Sequence, residues 1–531
     1  MSQEQAFKPS VAVPFAAIVL AMLPAVLDQT ILATALPTIA TDLGRISDVS
    51  WVVTAYVVAA AALTPLWGKL GDRHGRKLLL EIALVMFVSA SALCGAARDI
   101  TELIVLRAVQ GAAAGGLMAL AMAVVGDLVP PRERGRYQGY IAAAFAAATV
   151  VGPLVGGLLV DHAGWRWVFY VNLPIGAAAL AGLRLRLPAP ASERHGSGLD
   201  AAGAALLAGA TSAFMLVCIW GGDRYAWGSP QILGLIALTV VVAVALVRRE
   251  RRVADPIVPL DMLRTPTVAV VSVALFLAIA TMFAITVFVP LFLQTTTGAS
   301  PTRAGLLLIP MMLGITLSTT VSGRIITRTG RYKRFPIAGL ALMTIALALL
   351  AVVTGDPSRT TVDIGIVVFG LGFGMVTQVL VVAVQNSVDR RQLGIATATT
   401  GFFRALGGAV GAAVLGAVFA SRTGVHASAG VHALGPHARA DIIAAVQTVF
   451  VVAAPLTVLA LIAVLRLPEL PLQTGGERDV RGEQADRPAR ARGAVRERKP
   501  RGDRRADPSR LREPRGAAGQ PSGAGGAQGD R

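Results

Sequence analysis

Again and again the chain runs for about 20 residues with almost no charged side chain, the length an α-helix needs to cross the hydrocarbon core of a bilayer. VAVPFAAIVLAMLPAVL near the start and VVSVALFLAIATMFAITVFVPLFL around residue 280 are two such runs. A helix buried in a water-soluble domain would show a polar face every turn. Window lengths place about fourteen spans, at 12–34, 49–68, 78–97, 102–126, 137–160, 166–186, 199–220, 230–248, 267–292, 303–323, 335–354, 362–385, 398–420 and 444–466. An aqueous chain of 531 residues would carry far more than 15% charged residues, against 54% hydrophobic ones and a mean hydropathy of +0.64. The chain therefore reads as an all-α polytopic membrane protein. The first run follows Lys8, is long, contains Pro14 and Pro24 and continues into a motif. It reads as a span and not as a cleaved signal.

The net charge of +18 does not point to nucleic acid, because aromatics are 5% and no zinc, helix-turn-helix or RNA-binding pattern is present. The positive charge lies in alternate loops: GKLGDRHGRK (68–77), PPRERGR (130–136), RLRLPAPASERH (184–195), RRERR (248–252), RIITRTGRYKR (324–334) and DRR (389–391). The intervening loops hold Arg45, Arg98, Arg166, Arg224, Arg303 and Arg359 mostly singly. Lys and Arg concentrate on the cytoplasmic side of a membrane, so both termini are expected in the cytoplasm. GKLGDRHGRK and GRIITRTGRYKR repeat a pattern of glycines and basic residues, the trace expected of two parallel halves. After Leu467 the chain turns rich in Arg, Asp, Glu, Gly and Pro and is expected to be disordered. Cys94 and Cys218 both sit in apolar runs, with no disulfide framework or metal-binding spacing. His426, His432 and His437 read as residues of a solvated loop.

Asp28 lies deep in the first run. A carboxylate there costs several kcal/mol unless it is protonated, paired or hydrated, and burial penalises its charged form. It is either a proton or cation site facing a central cavity or a carboxylate capping a helix kinked at Pro24 or Pro37. Arg107, in LIVLRAVQGAAAGGL, keeps its proton and must be paired or hydrated. It either biases Asp28 or snorkels to an interface. Gln110 and Gly111 follow it. GKLGDRHGRK reads as a tight turn, in which Gly71 and Gly75 permit positive φ and close approach. Asp72 there can accept from amides at a helix start and from a nearby arginine. Gly152, Pro153, Gly156 and Gly157 give a kinked, small-faced helix. Trp165, Trp167 and Tyr170 read as interface aromatics. Gln294, Gln378, Gln385, Asn386 and Arg404 are polar in apolar context and are candidates for lining a cavity, with helix–helix hydrogen bonding as the alternative for each.

These residues match a known pattern. LDQTILATALP (27–37), GKLGDRHGRK (68–77), LRAVQGAAAG (106–115), GPLVGG (152–157) and GWRWVFYVNLPIG (164–176) resemble, in order, the motifs of the major facilitator superfamily. They resemble most its fourteen-span drug:proton antiporter branch, of the EmrB/QacA type. PLFLQTTTGASPTRAGLLLIP (290–310) and LGIATATTGFFRALGGAVGAAVLG (393–416) are similar to that branch as well.

The resemblance implies a six-helix bundle over 12–186, two additional helices over 199–248 and a second six-helix bundle over 267–466, flanked by a cytoplasmic N-terminus (1–11) and a basic tail (467–531). It implies alternating access and proton antiport, exporting drugs or small metabolites across the inner (plasma) membrane. It assigns proton coupling to Asp28 with Arg107, gating to Gly68, Gly71, Asp72, Arg73, Gly75 and Arg76, and an antiporter hinge to Gly152, Pro153, Gly156 and Gly157. The expected partners are a small-molecule substrate, protons and the lipid bilayer; a monomer is expected, with accessory partners unspecified and no cofactor or metal. Some cation exporters of this branch carry a second acid in the tenth span, whereas LLLIPMMLGITLSTTVSG here has none. That speaks against polyvalent cations and for neutral, monovalent or anionic substrates. An uptake or facilitative carrier of the same fold is the alternative. A membrane enzyme is disfavoured, because no metal-ligand cluster, nucleophile elbow, phosphate-binding loop or sizeable soluble domain is present.

Overall fold

The computed structural model describes residues 11–43, 49–130, 133–187, 200–222, 224–253, 255–297, 308–352, 359–389, 392–423 and 436–472. Among them, 14 helices are long and apolar enough to cross a membrane. They are α1 (Ala12–Leu43), α2 (Val49–His74), α3 (Arg76–Ala96), α4 (Ile100–Leu128), α5 (Arg134–Ala163), α6 (Trp167–Arg186), α7 (Ala201–Trp220), α8 (Pro230–Glu250), α9 (Pro266–Leu293), α10 (Ile309–Thr329), α11 (Arg334–Val352), α12 (Arg359–Ser387), α13 (Leu393–Thr423) and α14 (Pro436–Leu465). Several outrun the hydropathy windows, because a helix continues into water wherever its backbone stays paired. In α9 a wide turn at Ala284–Phe288 precedes Pro290. Proline has no amide hydrogen to donate, and its ring crowds the carbonyl four residues back.

The first six and last six spans pair by the same scheme. Second packs on fourth, first on fifth and sixth, and third on fourth and sixth, in each set. The two fourth helices, α4 and α12, are the most buried spans. The repeat reaches single residues. A Cβ on Gly111 or Gly115 of α4 would collide with the Tyr56 or Ala60 carbonyl of α2. A Cβ on Gly370 or Gly374 of α12 would collide with the Met311 or Ile315 carbonyl of α10. Small residues at i and i+4 let two backbones touch, the contact that holds helices together where lipid offers no hydrophobic drive. Between the two sets the contacts are reciprocal: α2 lies on α13, and α5 on α10.

The inserted hairpin is bound less tightly. α8 packs chiefly on α7 and leaves most of its apolar faces exposed, whereas α7 also meets α2 and α13. Asp200 caps α7 by accepting from Gly203 N at 3.0 Å and pairs with Arg249 of α8 at 2.8 Å. The Arg249 guanidinium holds the Asp200 carboxyl below the usual carboxylate range.

Residues 467–472 differ from the solvated tail expected from Leu467 onward. The Tyr332 hydroxyl donates to Pro468 O (3.2 Å) and accepts from Leu470 N (3.0 Å), and Asn386 Nδ2 donates to Pro471 O (3.2 Å). Leu467 and Leu472 are buried. The apolar pair in LPELPL was the available signal, hidden by the charged stretch after it. Residues from 473 onward, and with them the rest of the expected tail, lie outside the described residues. A chain ended after Gly475 should keep its melting temperature in detergent. One ended after Arg466 should lose on the order of 3 kcal/mol, from two exposed leucine sites and three lost hydrogen bonds, which leave the Tyr332 hydroxyl and the Asn386 amide unpaired. Thermal unfolding of the two truncations checks this.

Candidate functional site

α1, α4 and α6 bring Asp28, Arg107, Gln110 and Asn172 together, all buried. Arg107 Nη1 donates to Asp28 Oδ2 and, at 2.7 Å, to Gln110 Oε1. Gln110 Nε2 donates to Asp28 Oδ1 at 2.8 Å, and Asn172 Nδ2 reaches the same oxygen at 3.3 Å. Asn172 also donates to Ser91 Oγ of α3 (3.0 Å), whose hydroxyl donates to Phe169 O (2.9 Å). Arg107 Nε donates to Val52 O of α2 at 3.1 Å, and its guanidinium lies 4.3 Å from the centre of the Tyr56 ring. The Tyr56 hydroxyl donates to Ala25 O, one turn before Asp28, at 3.2 Å. Arg107 is therefore a buried ion-pair partner and not a snorkelling side chain. Sequence reading missed Asn172, Ser91 and Tyr56. Asn172 was visible only as a letter in WRWVFYVNLPIG.

Small residues make this convergence sterically feasible. A Cβ on Gly152 of α5 would strike Thr30 Oγ1, and one on Gly156 would strike Thr34 Oγ1 and lie 2.8 Å from Ile31 O. Both let α5 lie against α1 on either side of Asp28's next turn. Gly157 has nothing within 4 Å, and Pro153 is carried inside an unbroken helix. Gly164, at φ 88°, turns the chain into α6 and so sets Asn172 at the depth of Asp28. Trp165, expected at an interface, is buried and donates to Asp42 Oδ2 at 2.7 Å, while Trp167 is exposed.

The segment read as a tight turn is instead helical through His74 and breaks only at Gly75, φ 95°. Gly71 has no positive φ; its role is close approach, since a Cβ would strike Leu120 of α4. Asp72 accepts from Gly394 N and Ile395 N of α13, each at 2.8 Å, so its carboxylate caps the positive end of that helix. Arg76 donates to Asp72 (2.6 and 3.0 Å) and to Asp127 of α4. Arg73 stays apart, with Nη1 buried and unpartnered. Beside Asp72, a Cβ on Gly68 would lie 2.5 Å from Ala398 Cβ. The other seam closes at the same end: a Cβ on Gly135 of α5 would lie 2.8 Å from Gly323 Cα of α10, and one on Gly139 would lie 2.9 Å from Thr320 Oγ1. Arg134, read from sequence only as a topology signal, is fully buried here and donates to Val129 O (3.0 Å), Gly126 O and Gln385 O (3.4 Å).

The remaining candidates scatter. Gln385 is buried and donates to Met122 O (3.2 Å) and Thr397 Oγ1 (3.3 Å), at the sealed end. Asn386 is drawn to Pro471, away from any cavity. Gln378 is partly buried with Oε1 unpartnered. Gln294 lies in the helix that continues α9, and its side chain is outside the described residues, as are His426, His432 and the His437 side chain. Arg404 lies within α13, partly accessible. No group of His, Cys, Asp or Glu among the described residues could hold a metal ion.

Fourteen apolar spans in two matching sets of six and a hairpin, with a buried charge centre shared by α1, α2, α4 and α6, define a polytopic membrane protein of the carrier type. The model of the Major Facilitator Superfamily matches residues 18–412, and the chain belongs to that superfamily: it is a transporter and not an enzyme. It is 38% identical over 478 residues to an uncharacterized transporter of this type from Mycobacterium tuberculosis, covering 86% of this chain and 69% of that protein. It is 35% identical to the multidrug transporter protein MdtP of Bacillus subtilis, covering 77% and 75%. Among solved structures, the human organic anion transporter MFSD10 superposes with a TM-score of 0.61 at 18% identity, covering 86% of this chain and all of that one, which establishes shared fold only.

The seam geometry can be tested directly. A Cβ on Gly139 would lie 3.3 Å from Thr320 Cβ, close to the ~3.8 Å of a disulfide. The pair Gly139→Cys and Thr320→Cys should cross-link in membranes under mild oxidant and stop turnover, with dithiothreitol restoring both. Failure to cross-link at any substrate or pH condition would count against this closed seam.

Proposed function

We propose that the chain is a proton-coupled exporter of drugs or small-molecule metabolites, working by alternating access in the plasma membrane with both termini cytoplasmic. The observation that carries this reading is the Asp28 site. Among the described residues Asp28 is the acid placed at mid-span, away from every helix end. Its two oxygens are held by donors from α4 and α6, and the same Arg107 is tied to α2. A proton on Asp28 removes the charge that holds Arg107, so protonation changes the bonding among four helices at once. That is what a coupling site must do: convert the arrival of a proton into a preference between two arrangements. The Asp72 end, cytoplasmic on the arginine bias, is the sealed one, as suits proton loading from outside. The multidrug designation of MdtP supports export over uptake. The carrier is taken to act as a monomer in lipid, without cofactor.

Asp28→Asn keeps the size of the side chain and an acceptor for Arg107, but it cannot titrate. Uphill efflux from reconstituted vesicles should be lost while substrate binding persists. Asp28→Glu should keep partial activity. Arg107→Lys should cost most of the transport, because an ammonium cannot serve Asp28, Gln110 and Val52 O together. Proton release on substrate addition is the measurement, and near-normal uphill export by Asp28→Asn would move the proton site elsewhere. An imposed pH step across substrate-loaded vesicles separates export from uptake by the direction of flux.

Orientation has its own check. Reporter fusions after residues 77, 195, 252 and 334 should all give a cytoplasmic signal. A periplasmic signal at 252 alone would mean that the α7–α8 hairpin is inverted.

A further inference from the structure

Three charges lie deep in the spans: Asp28, Arg107 and Arg404. The first two neutralise each other. Among the described residues Arg404 has no hydrogen bond, ion pair or ring contact. It stands about a third of the way along α13, roughly 17 Å from the Asp72 end at 1.5 Å per residue, near the middle of a hydrocarbon core about 30 Å thick. The side chain is partly accessible. A charged group at this depth faces the protein interior and not lipid, so a partly accessible one borders an internal space.

The neighbouring positions agree. Gly401 and Gly408 flank Arg404 on one helix face, at i−3 and i+4. A Cβ on Gly401 would come no nearer than 3.6 Å to Thr64 of α2, and one on Gly408 no nearer than 3.7 Å to Ile279 of α9. On the adjacent face, by contrast, Gly407 and Gly411 are pressed onto the Phe276 and Ala280 carbonyls of α9. Arg404 thus emerges from the loosely packed edge of α13, with α2 of the first set beside Gly401 and α9 of the second beside Gly408. A guanidinium keeps its proton, so its charge in this place must be balanced by water or by an anion from outside the chain.

We propose that Arg404 is the counter-ion for an acidic group on the exported molecule, an organic carboxylate, sulfonate or phosphate monoester held between α2, α9 and α13. This rests on the exporter reading for what is moved, but the anion site itself does not. Its cost to the empty carrier is an uncompensated cation, which the ligand's charge relieves. Outward movement of an anion and inward movement of a proton both carry positive charge inward, so an inside-negative potential drives both legs.

The test uses the full chain, in right-side-out vesicles for labelling, because the Asp72 end is the sealed one, and in everted vesicles for transport. Gly401→Cys, which the local space accepts, is exposed to a sulfonate-bearing and a trimethylammonium-bearing methanethiosulfonate. Peptide mass spectrometry separates this site from the buried Cys94 and Cys218. With Arg404 present the anionic reagent should react faster relative to the cationic one. Arg404→Gln should lower that ratio by about tenfold, and Arg404→Lys should keep it. A ratio unmoved by Arg404→Gln, or no labelling by either reagent, overturns the proposal whatever is transported. In parallel, an acid-inside gradient drives uptake of fluorescein, an anion, or rhodamine 123, a cation on the same ring frame. The expected result is fluorescein uptake that Arg404→Gln abolishes and Arg404→Lys retains in part. Gradient-driven uptake of rhodamine 123 alone leaves the exporter reading standing and overturns the acidic substrate. Uptake of neither dye, with the labelling ratio intact, counts against the exporter reading and leaves the anion site in place.

Discussion

A carboxylate and a guanidinium deep in a low-dielectric span cannot both be left bare, and the first six helices are arranged around that constraint. Desolvating two ions costs several kcal/mol each, which their attraction offsets only with good geometry and further hydrogen bonds. Asp28 and Arg107 meet this with Gln110, Asn172, Val52 O and the Tyr56 ring, drawn from α1, α2, α4 and α6. Replacing such a pair by packed apolar groups is often neutral for stability, whereas removing one partner costs about 3–5 kcal/mol. The ion pair is therefore poor value as a structural device and well suited to a switch. On the coupling proposed above, proton binding removes one partner reversibly and so biases the helices that shared it.

The closed end is held by interactions of a different strength. Asp72 on the α13 helix start and Arg76 on Asp72 are nearly enclosed, whereas Asp127 and the Lys69–Asp255 pair after α8 are partly exposed to water. The exposed pairs contribute up to about 1 kcal/mol each. On the coupling proposed above, a bias from the Asp28 site or a bound substrate has to outweigh these contacts. The Lys69–Asp255 pair also ties the α7–α8 hairpin to the gate, which gives the two inserted helices a mechanical connection to the moving seam although they pack weakly elsewhere.

The spans and their number were legible because bilayer thickness and backbone pairing act on every residue and leave a periodic trace, and the two halves showed in the echo of GKLGDRHGRK by GRIITRTGRYKR, whereas the glycine-paired second and fourth helices did not. Asp28 and Arg107 were legible because charge in apolar sequence is conspicuous. Their partners were not: Asn172, Ser91 and Tyr56 are ordinary polar letters until folding sets them at one depth. Arg134 was hidden by its company, since a basic loop looks the same whether its arginines face water or, as here, a buried row of carbonyls. The segment 68–77 was misread at Gly71 because glycine signals two things, a positive φ or a close approach, and sequence does not say which. The docked 467–472 strap was lost in the composition of the charged stretch that follows it.

The same residue type serves two energetic ends. Within each set of six, glycine contacts such as Gly111 and Gly115 on α2, or Gly370 and Gly374 on α10, join helices whose other faces carry large buried side chains, so parting them would expose a great deal of apolar area. Across the seams, the touching residues are Gly68 with Ala398, Gly135 with Gly323 and Gly139 with Thr320. At the Asp72 end these contacts are close, but the side chains buried in them are small or absent, whereas further along the α2–α13 seam Val57, Val58 and Ala61 share an apolar cluster with Ala405, Leu406, Ala409, Val410 and Ala413. Parting the seams at the Asp72 end alone therefore exposes little apolar surface. The seams between the sets are therefore lightest at the Asp72 end, which is where the alternating access proposed above needs them to part.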